Sequence, residues 1–137
     1  MKDNIRQGGV LSVIQFALLM DEISKNIHKE NLGIKIDENN KIGCLEWVDD
    51  ISLLTQTSPE MQKMLDITNN TSGPFHLEYG SSKSQAQTGN KMDKTILHLG
   101  EMELEYTDKY KYLGYMQNAK NNQEDQIIEI KNKTTGL

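Results

Sequence analysis

Two short apolar runs meet at a pair of adjacent aspartates in the stretch CLEWVDDISLL, residues 44–54. Residues 43–48 and 51–55 have strand-like composition and Asp favours turns, so the stretch predicts a β-hairpin with Asp49 and Asp50 at or beside its turn. Adjacent carboxylates repel each other unless a cation or hydrogen-bond donors lie between them. Two interpretations remain open: an ordinary turn, or part of the oxygen ligand set of a divalent metal.

The net charge of −5 is concentrated around this stretch. Residues 32–82 carry three basic and eight acidic groups, whereas the segments on either side are balanced. Phosphates are held chiefly by Lys and Arg, so an acidic segment does not attract nucleic acid by itself. The bias indicates either a cation site or a solvated acidic face.

Composition indicates one domain, or a piece of one, with a thin core. The chain has 137 residues, of which 36% are hydrophobic and 6% aromatic. No apolar run approaches the roughly 20 residues that span a bilayer. The single cysteine, Cys44, excludes an internal disulfide and suits a reducing compartment. We therefore expect an intracellular protein, in cytoplasm or nucleus, with no membrane partner.

Hydrophobic periodicity predicts an α+β order of helix, hairpin, helix, strands and helix. The first helix is predicted over residues 10–28, and the second from Ser58, as N-cap, to Gly73. A last helix is predicted from about residue 122. Further strands are predicted at 33–36, 75–79, 95–99, 102–106 and 110–114. The expected fold is an antiparallel sheet covered on one face by two helices.

Four short motifs occur along the chain in the order IRQGGVLSVIQF (5–16), WVDD (47–50), HLEYGSSKS (76–84) and YKYLG (110–114). This series resembles the palm domain of reverse transcriptases, in particular of the non-LTR (LINE-type) retrotransposon kind. There the motifs read approximately RQG-D-PLSP-x-LF, [YF]-x-DD, G-L-x-L-N-x-x-K-S and YLG. The resemblance extends from Ile5 to about Lys133. It implies an RNA-directed DNA polymerase acting by two-metal nucleotidyl transfer.

The resemblance implies roles for the residues of the hairpin and of the third motif. Asp49 and Asp50 match the metal-binding aspartates of the family, and Mg²⁺ or Mn²⁺ is the implied cofactor. Trp47 takes the aromatic position beside them, which implies contact with nucleotide or template. Lys83 matches a lysine proposed in polymerases to protonate the departing pyrophosphate. Apart from the resemblance, Trp47 can be a core anchor, a role that is compatible with the implied one, and Lys83 can be a solvated loop lysine.

The resemblance also implies two nucleic-acid contacts. Residues matching the loop beside the incoming nucleotide and template are Arg6, Gln7 and Gly8. Residues matching the hairpin that grips the primer end are Tyr112, Leu113 and Gly114. Donor side chains and a closely approaching glycine backbone suit such contacts. The implied partners of the intact parent are an RNA template, a DNA primer and a dNTP, together with fingers and thumb segments missing here.

The chain departs from the family pattern at several positions. Gly9–Val10 stands in place of Asp-Pro, and Val13 in place of the second proline. His76 and Gly80 replace the glycine and asparagine of the third motif. A loop without its prolines is less rigid, so these changes affect nucleotide positioning.

The resemblance predicts a palm truncated at its N-terminus. The family holds another metal-binding aspartate on a strand upstream of the RQG loop, and Asp3 does not match that motif. The predicted organisation is a partial palm over 1–106, a primer-grip-like hairpin over 107–120 and the start of a thumb helix over 121–137. We expect weak metal binding and no polymerase activity from this chain alone. The alternative, from another class, is a non-catalytic remnant or a small protein-interaction module that retains the palm fold.

Overall fold

The first helix forms where the hydrophobic spacing predicted it. The computed structural model describes residues 9–48, 50–89, 94–112 and 115–118, and helix α1 covers Val10–Lys29. Its last turn carries His28 and Lys29, which complement the negative end of the helix dipole. Its buried side chains recur at intervals of three or four residues and so share one face: Leu19, Met20, Ile23 and Ile27.

Two antiparallel hairpins follow α1. Strand β1 (Ile34–Lys35) pairs with β2 (Lys41–Ile42), and β3 (Cys44–Trp47) pairs with β4 (Asp50–Leu53). The second hairpin confirms the prediction from the aspartate stretch. The first was predicted only as a strand followed by a loop, because two-residue strands show no alternation that a sequence pattern could detect.

The connection between β1 and β2 is held by the side chain of Asp37. Its Oδ1 accepts hydrogen bonds from the backbone N–H groups of Asn39 and Asn40, both at 2.8 Å. The Asn40 side chain, and after it the Asn39 N–H, lowers the pKa of Asp37. Because the folded-state pKa is lowered, this stabilisation is present above the unfolded-state pKa and is lost as the pH falls through the folded-state value.

The second helix, α2, covers Ser58–Ser72. Its N-cap is Thr57, whose Oγ1 accepts a hydrogen bond from the Glu60 N–H at 3.4 Å. The prediction of Ser58 as the cap is therefore wrong by one residue, since either hydroxyl can cap and the chain uses the earlier one. Helices α1 and α2 pack together, and the Asn26 side-chain amide donates to Thr71 Oγ1 at 3.1 Å between them.

The core lies between these two helices and is thin, in line with the low hydrophobic content. Its buried members are Leu19, Met20, Ile23, Ile27, Leu32 and Met64. The β3–β4 hairpin packs against this cluster through Cys44, Ile51 and Leu53. The helical core is therefore the support on which the aspartate hairpin rests. No helix within the described residues is long and apolar enough to cross a membrane.

The remaining strands are β5 (Gln85–Ala86), β6 (His98–Leu99), β7 (Met102–Glu103), β8 (Glu105–Tyr106), β9 (Lys109–Tyr112) and β10 (Tyr115–Asn118). The chain forms two compact units, residues 1–78 with 97–102, and residues 79–96 with 103–137. In the second unit β5 pairs with β8 in parallel, and β9 pairs with β10 in an antiparallel hairpin. Strand β6 pairs with β7.

Several strand predictions are wrong in detail. Residues 75–79 form no strand; Gly73–Phe75 is a 3₁₀ helix and His76 follows with a φ of 52°. Of residues 95–99 only the last two are in a strand, and residues 102–106 divide between β7 and β8. The single antiparallel sheet is replaced, within the described residues, by pairs of strands, one pair parallel. The helix predicted from about residue 122 lies outside the described residues.

A side chain explains why β6 needs no further strand beside it. The Gln62 side-chain amide donates to the His98 carbonyl at 2.8 Å, and its oxygen accepts from the His98 N–H at 2.9 Å. This pair of bonds is the one that a neighbouring strand would make. A side chain of α2 thus pairs with the backbone N–H and C=O groups at the edge of β6. Local sequence patterns cannot predict this contact, because the two residues are far apart in the sequence.

Candidate functional site

The aspartate stretch forms a tight hairpin tip. The Cα register of β3 and β4 pairs Trp47 with Asp50, so residues 48 and 49 connect the strands. Asp49 lies outside the described residues, whereas Asp50 is the first residue of β4. Residues directly opposite each other in an antiparallel pair have their side chains on the same face. The structure therefore brings the Trp47 indole and the Asp50 carboxylate together on one face.

The two faces of this hairpin differ in burial. One face packs on the helical core through Cys44, Ile51 and Leu53. The other carries Leu45 and Trp47, with side chains 44% and 62% exposed, together with the exposed Asp50. The carboxylate thus stands on a solvent-accessible face beside aromatic and aliphatic surface. Such a face offers a ring for stacking and a carboxylate that can attract a cation or accept hydrogen bonds.

Val48 holds an unfavourable backbone conformation at the hairpin tip. Its φ is 56°, in the left-handed region, where an L-residue pays roughly 1–2 kcal/mol and a β-branched residue is an outlier. A two-residue hairpin connection requires a positive φ at its first position. The turn geometry next to the aspartates therefore overrides the preference of the side chain. No sequence pattern predicts this conformation, because valine disfavours it.

We expect Val48→Gly to stabilise the chain by about 0.5–1 kcal/mol, because removing the β-branched side chain relieves more strain than the added glycine entropy costs. The measurement is urea unfolding followed by circular dichroism. Leu45→Gly is the control: it lies in β3 with no positive φ, so it should destabilise by about 1 kcal/mol. Equal losses in the free energy of unfolding from both substitutions would contradict the inference that the Val48 backbone is strained.

Asp50 supplies a carboxylate of the right chemistry for a divalent cation. Mg²⁺ and Mn²⁺ prefer oxygen ligands, and Mg²⁺ usually keeps several waters beside one or two carboxylates. Within the described ranges, which leave out Asp49, no group of three or more His, Cys, Asp or Glu side chains could hold a metal ion. Asp50 can therefore serve as one ligand of such an ion. A tight site requires more oxygen donors than the described side chains bring together.

Cys44 at the start of β3 is a weakly acidic thiol. Burial, with a smaller contribution from the negative charge of Glu46, raises the pKa of the Cys44 thiol to about 12. Only a thiolate acts as a nucleophile or a metal ligand, and the thiol stays protonated at neutral pH.

The other predicted site residues are distributed over the rest of the chain. Lys83 is exposed in the second unit, in a turn closed by its backbone N–H bonding to the Gly80 carbonyl at 3.0 Å. Tyr112 ends β9 and is paired with Tyr115 of β10. Trp47 and Asp50 are the predicted site residues that the structure describes in the first unit, and it brings these two together. Predicted residues outside the described ranges are Arg6, Gln7, Gly8, Asp49, Leu113 and Gly114.

A family model described as "Reverse transcriptase (RNA-dependent DNA polymerase)" matches residues 2–117. This range contains all four motifs quoted above and the whole of the Trp47–Asp50 hairpin. No significant match is found among curated proteins or among solved structures. The match supports a reverse-transcriptase-like polymerase fragment and does not favour the alternative of a non-catalytic remnant or a small protein-interaction module that retains the palm fold.

Proposed function

The chain belongs to the reverse transcriptase (RNA-dependent DNA polymerase) family, and from this premise we propose that it is palm sequence of an RNA-directed DNA polymerase of the non-LTR retrotransposon kind. The observation that carries the proposal is the pairing of Trp47 with Asp50 at a hairpin tip inside the matched range. In the proposed organisation residues 1–106 are palm, 107–120 a primer-grip hairpin and 121–137 the start of a thumb helix.

The hairpin tip is proposed to hold the catalytic metal. Asp49 and Asp50 would bind Mg²⁺ or Mn²⁺, and the exposed position of Asp50 supports this assignment. A bound ion stabilises the negative charge that develops in phosphoryl transfer. Trp47, on the same face as Asp50, offers an exposed ring for stacking against a base or sugar. Lys83 is proposed as the proton donor to pyrophosphate.

The nucleic-acid contacts are proposed from the motifs that surround the hairpin. The partners are an RNA template, a DNA primer and a dNTP. The proposed nucleotide and template loop is Arg6, Gln7 and Gly8. The proposed primer contacts are Tyr112, Leu113 and Gly114. An intracellular site of action is proposed because the sequence has a single cysteine, which suits a reducing compartment.

We expect the 137-residue polypeptide to bind Mn²⁺ weakly, with a Kd on the order of 1 mM, because one or two carboxylates are a sparse ligand set. Trp47 is the only tryptophan and lies opposite Asp50, so paramagnetic Mn²⁺ should quench its emission. Asp50→Asn should weaken this quenching at least fivefold. The matched control is Asp66→Asn, an exposed carboxylate on α2; it should titrate like the wild type.

In the second part of this experiment nucleic acid is added and the Trp47 emission is followed. An RNA template annealed to a DNA primer should quench Trp47 in the presence of Mn²⁺, and the effect should weaken with added salt. The polypeptide alone should extend no primer, since two carboxylates do not complete a two-metal site. Identical Mn²⁺ quenching in wild type and Asp50→Asn, with no response of Trp47 to primer–template, would contradict the proposed site.

A further inference from the structure

The residues that follow β4 fasten it to the first turn of α2. The Leu54 N–H donates to the Gly43 carbonyl at 2.8 Å and closes the open end of the β3–β4 hairpin. One residue later the Thr55 hydroxyl donates to Glu60 Oε2 at 2.6 Å, in a partly buried contact. This distance is that of a charge-assisted hydrogen bond, which is stronger than a bond between neutral groups. The Thr55–Glu60 bond is therefore a firm link between β4 and α2.

Glu60 is itself fixed in place by its helix. Its backbone N–H donates to the N-cap hydroxyl, Thr57 Oγ1, at 3.4 Å, so Glu60 belongs to the first turn of α2. The next turn carries Met64 and Leu65, which are 0% and 5% exposed and anchor the helix in the buried interior. A carboxylate in the first turn also lies at the positive end of the helix dipole. The Glu60 side chain thus holds Thr55 from a point that the helix fixes.

We propose that Glu60 is a positioning residue for Asp50: by holding Thr55, it sets the direction of β4 and so the position of the carboxylate at the other end of the strand. At about 3.3 Å per residue, Thr55 lies at most about 17 Å from Asp50. Strand β4 is paired with β3 along its whole length, so the hairpin moves as one body and a shift at its base displaces its tip. The inference rests on the proposed function, in which Asp50 binds the metal ion.

Packing on the core does not by itself set the direction of the hairpin. Ile51 and Leu53 pack against the helical core and hold one face of β4. Apolar contacts are non-directional, so they permit the hairpin to tilt on the surface of the core. A hydrogen bond has a preferred length and angle. The Thr55–Glu60 bond therefore adds a directional restraint that the packing lacks.

Substitutions at the two ends of the bond test this proposal. Thr55→Val replaces the hydroxyl by a methyl group and changes no charge, so a loss of metal binding cannot come from a lost carboxylate. It should weaken the Mn²⁺ quenching of Trp47 about threefold, and Glu60→Ala should do the same. In Glu60→Gln the side-chain oxygen still accepts from Thr55, so its Mn²⁺ affinity should stay within about twofold of the wild type. The double variant Thr55→Val/Glu60→Ala should bind no more weakly than either single variant, because both remove one interaction.

Thr57→Ala is the control for general stability. It removes the N-cap of α2 and should lower the urea midpoint of unfolding. It leaves the Thr55 hydroxyl and the Glu60 carboxylate in place, so it should titrate with Mn²⁺ like the wild type. A Thr57→Ala variant that loses as much Mn²⁺ affinity as Thr55→Val would overturn the proposal, since lower stability would then explain both results.

Amide hydrogen exchange tests the positioning role without metal. The Leu54 N–H, bonded to the Gly43 carbonyl, should exchange about tenfold faster in Thr55→Val and Glu60→Ala than in the wild type, and at close to the wild-type rate in Glu60→Gln. A wild type whose Trp47 does not respond to Mn²⁺ would contradict the proposed metal site, and the exchange rates would still show whether Glu60 positions β4. Equal Leu54 exchange rates in the wild type and in Glu60→Ala would overturn the positioning role.

Discussion

Replacing Gly43 by alanine is expected to destabilise the chain by about 2–3 kcal/mol, the upper range for overpacking a core. Gly43 is buried between β2 and β3. An added Cβ would lie 2.6 Å from the Leu32 carbonyl oxygen, 2.6 Å from Met64 Cε and 3.2 Å from Ile27 Cγ2. The methionine tip can rotate away, but the Leu32 carbonyl belongs to the backbone and can move only if the chain shifts.

Gly73→Ala is the matched control for Gly43→Ala. Gly73 has helical dihedral angles (φ −51°, ψ −48°), and a Cβ there would meet nothing within 4 Å. The same substitution should therefore change the free energy of unfolding by less than about 0.5 kcal/mol, because the reduced entropy of the unfolded state is offset by the strain that Pro74 places on a preceding αR residue with a Cβ. Urea unfolding followed by circular dichroism measures both. Equal and small changes in the free energy of unfolding for the two substitutions would show that the backbone around Gly43 can shift to accommodate a Cβ at little cost.

The hairpin and the two helices could be predicted because their signals are local. Apolar residues of α1 recur every three or four positions, as expected of a helix with one buried face. Asp49 and Asp50 lie between two strand-like runs that are each long enough to form one strand of a hairpin. The closeness of Trp47 and Asp50 follows from that hairpin alone. The resemblance of four ordered motifs then indicated the family, which a match over residues 2–117 supports.

What the sequence could not predict depends on contacts between distant residues or on strain. The β6 edge is satisfied by Gln62, 36 residues away, and a side chain that replaces a strand leaves no periodic signal. The tight contacts around Gly43 come from three different segments. Val48 adopts a conformation that its own side chain disfavours. Lys83 belongs to the other unit, so no local pattern relates it to the aspartates.

Ile23→Ala is expected to cost about 3–4 kcal/mol, because Ile23 is 1% exposed in the thin core and its truncation leaves a cavity. Ile23→Val, which removes one methyl group, should cost about 1 kcal/mol. The control is Ile36→Ala at 58% exposure, which should change the free energy of unfolding by less than about 0.5 kcal/mol. A loss at Ile23 no larger than that at Ile36 would contradict the assignment of the core.

The same truncation should reach the hairpin that carries the aspartates. Ile51 and Leu53 pack against the cluster to which Ile23 belongs, and both lie in β4, the strand that begins at Asp50. A cavity in that cluster loosens the support of β4, whereas Ile36→Ala leaves it intact. We therefore expect Ile23→Ala to shift the Trp47 emission maximum and to weaken Mn²⁺ quenching at temperatures where the variant is still folded. Unchanged quenching would show that the hairpin holds its geometry without the helical core.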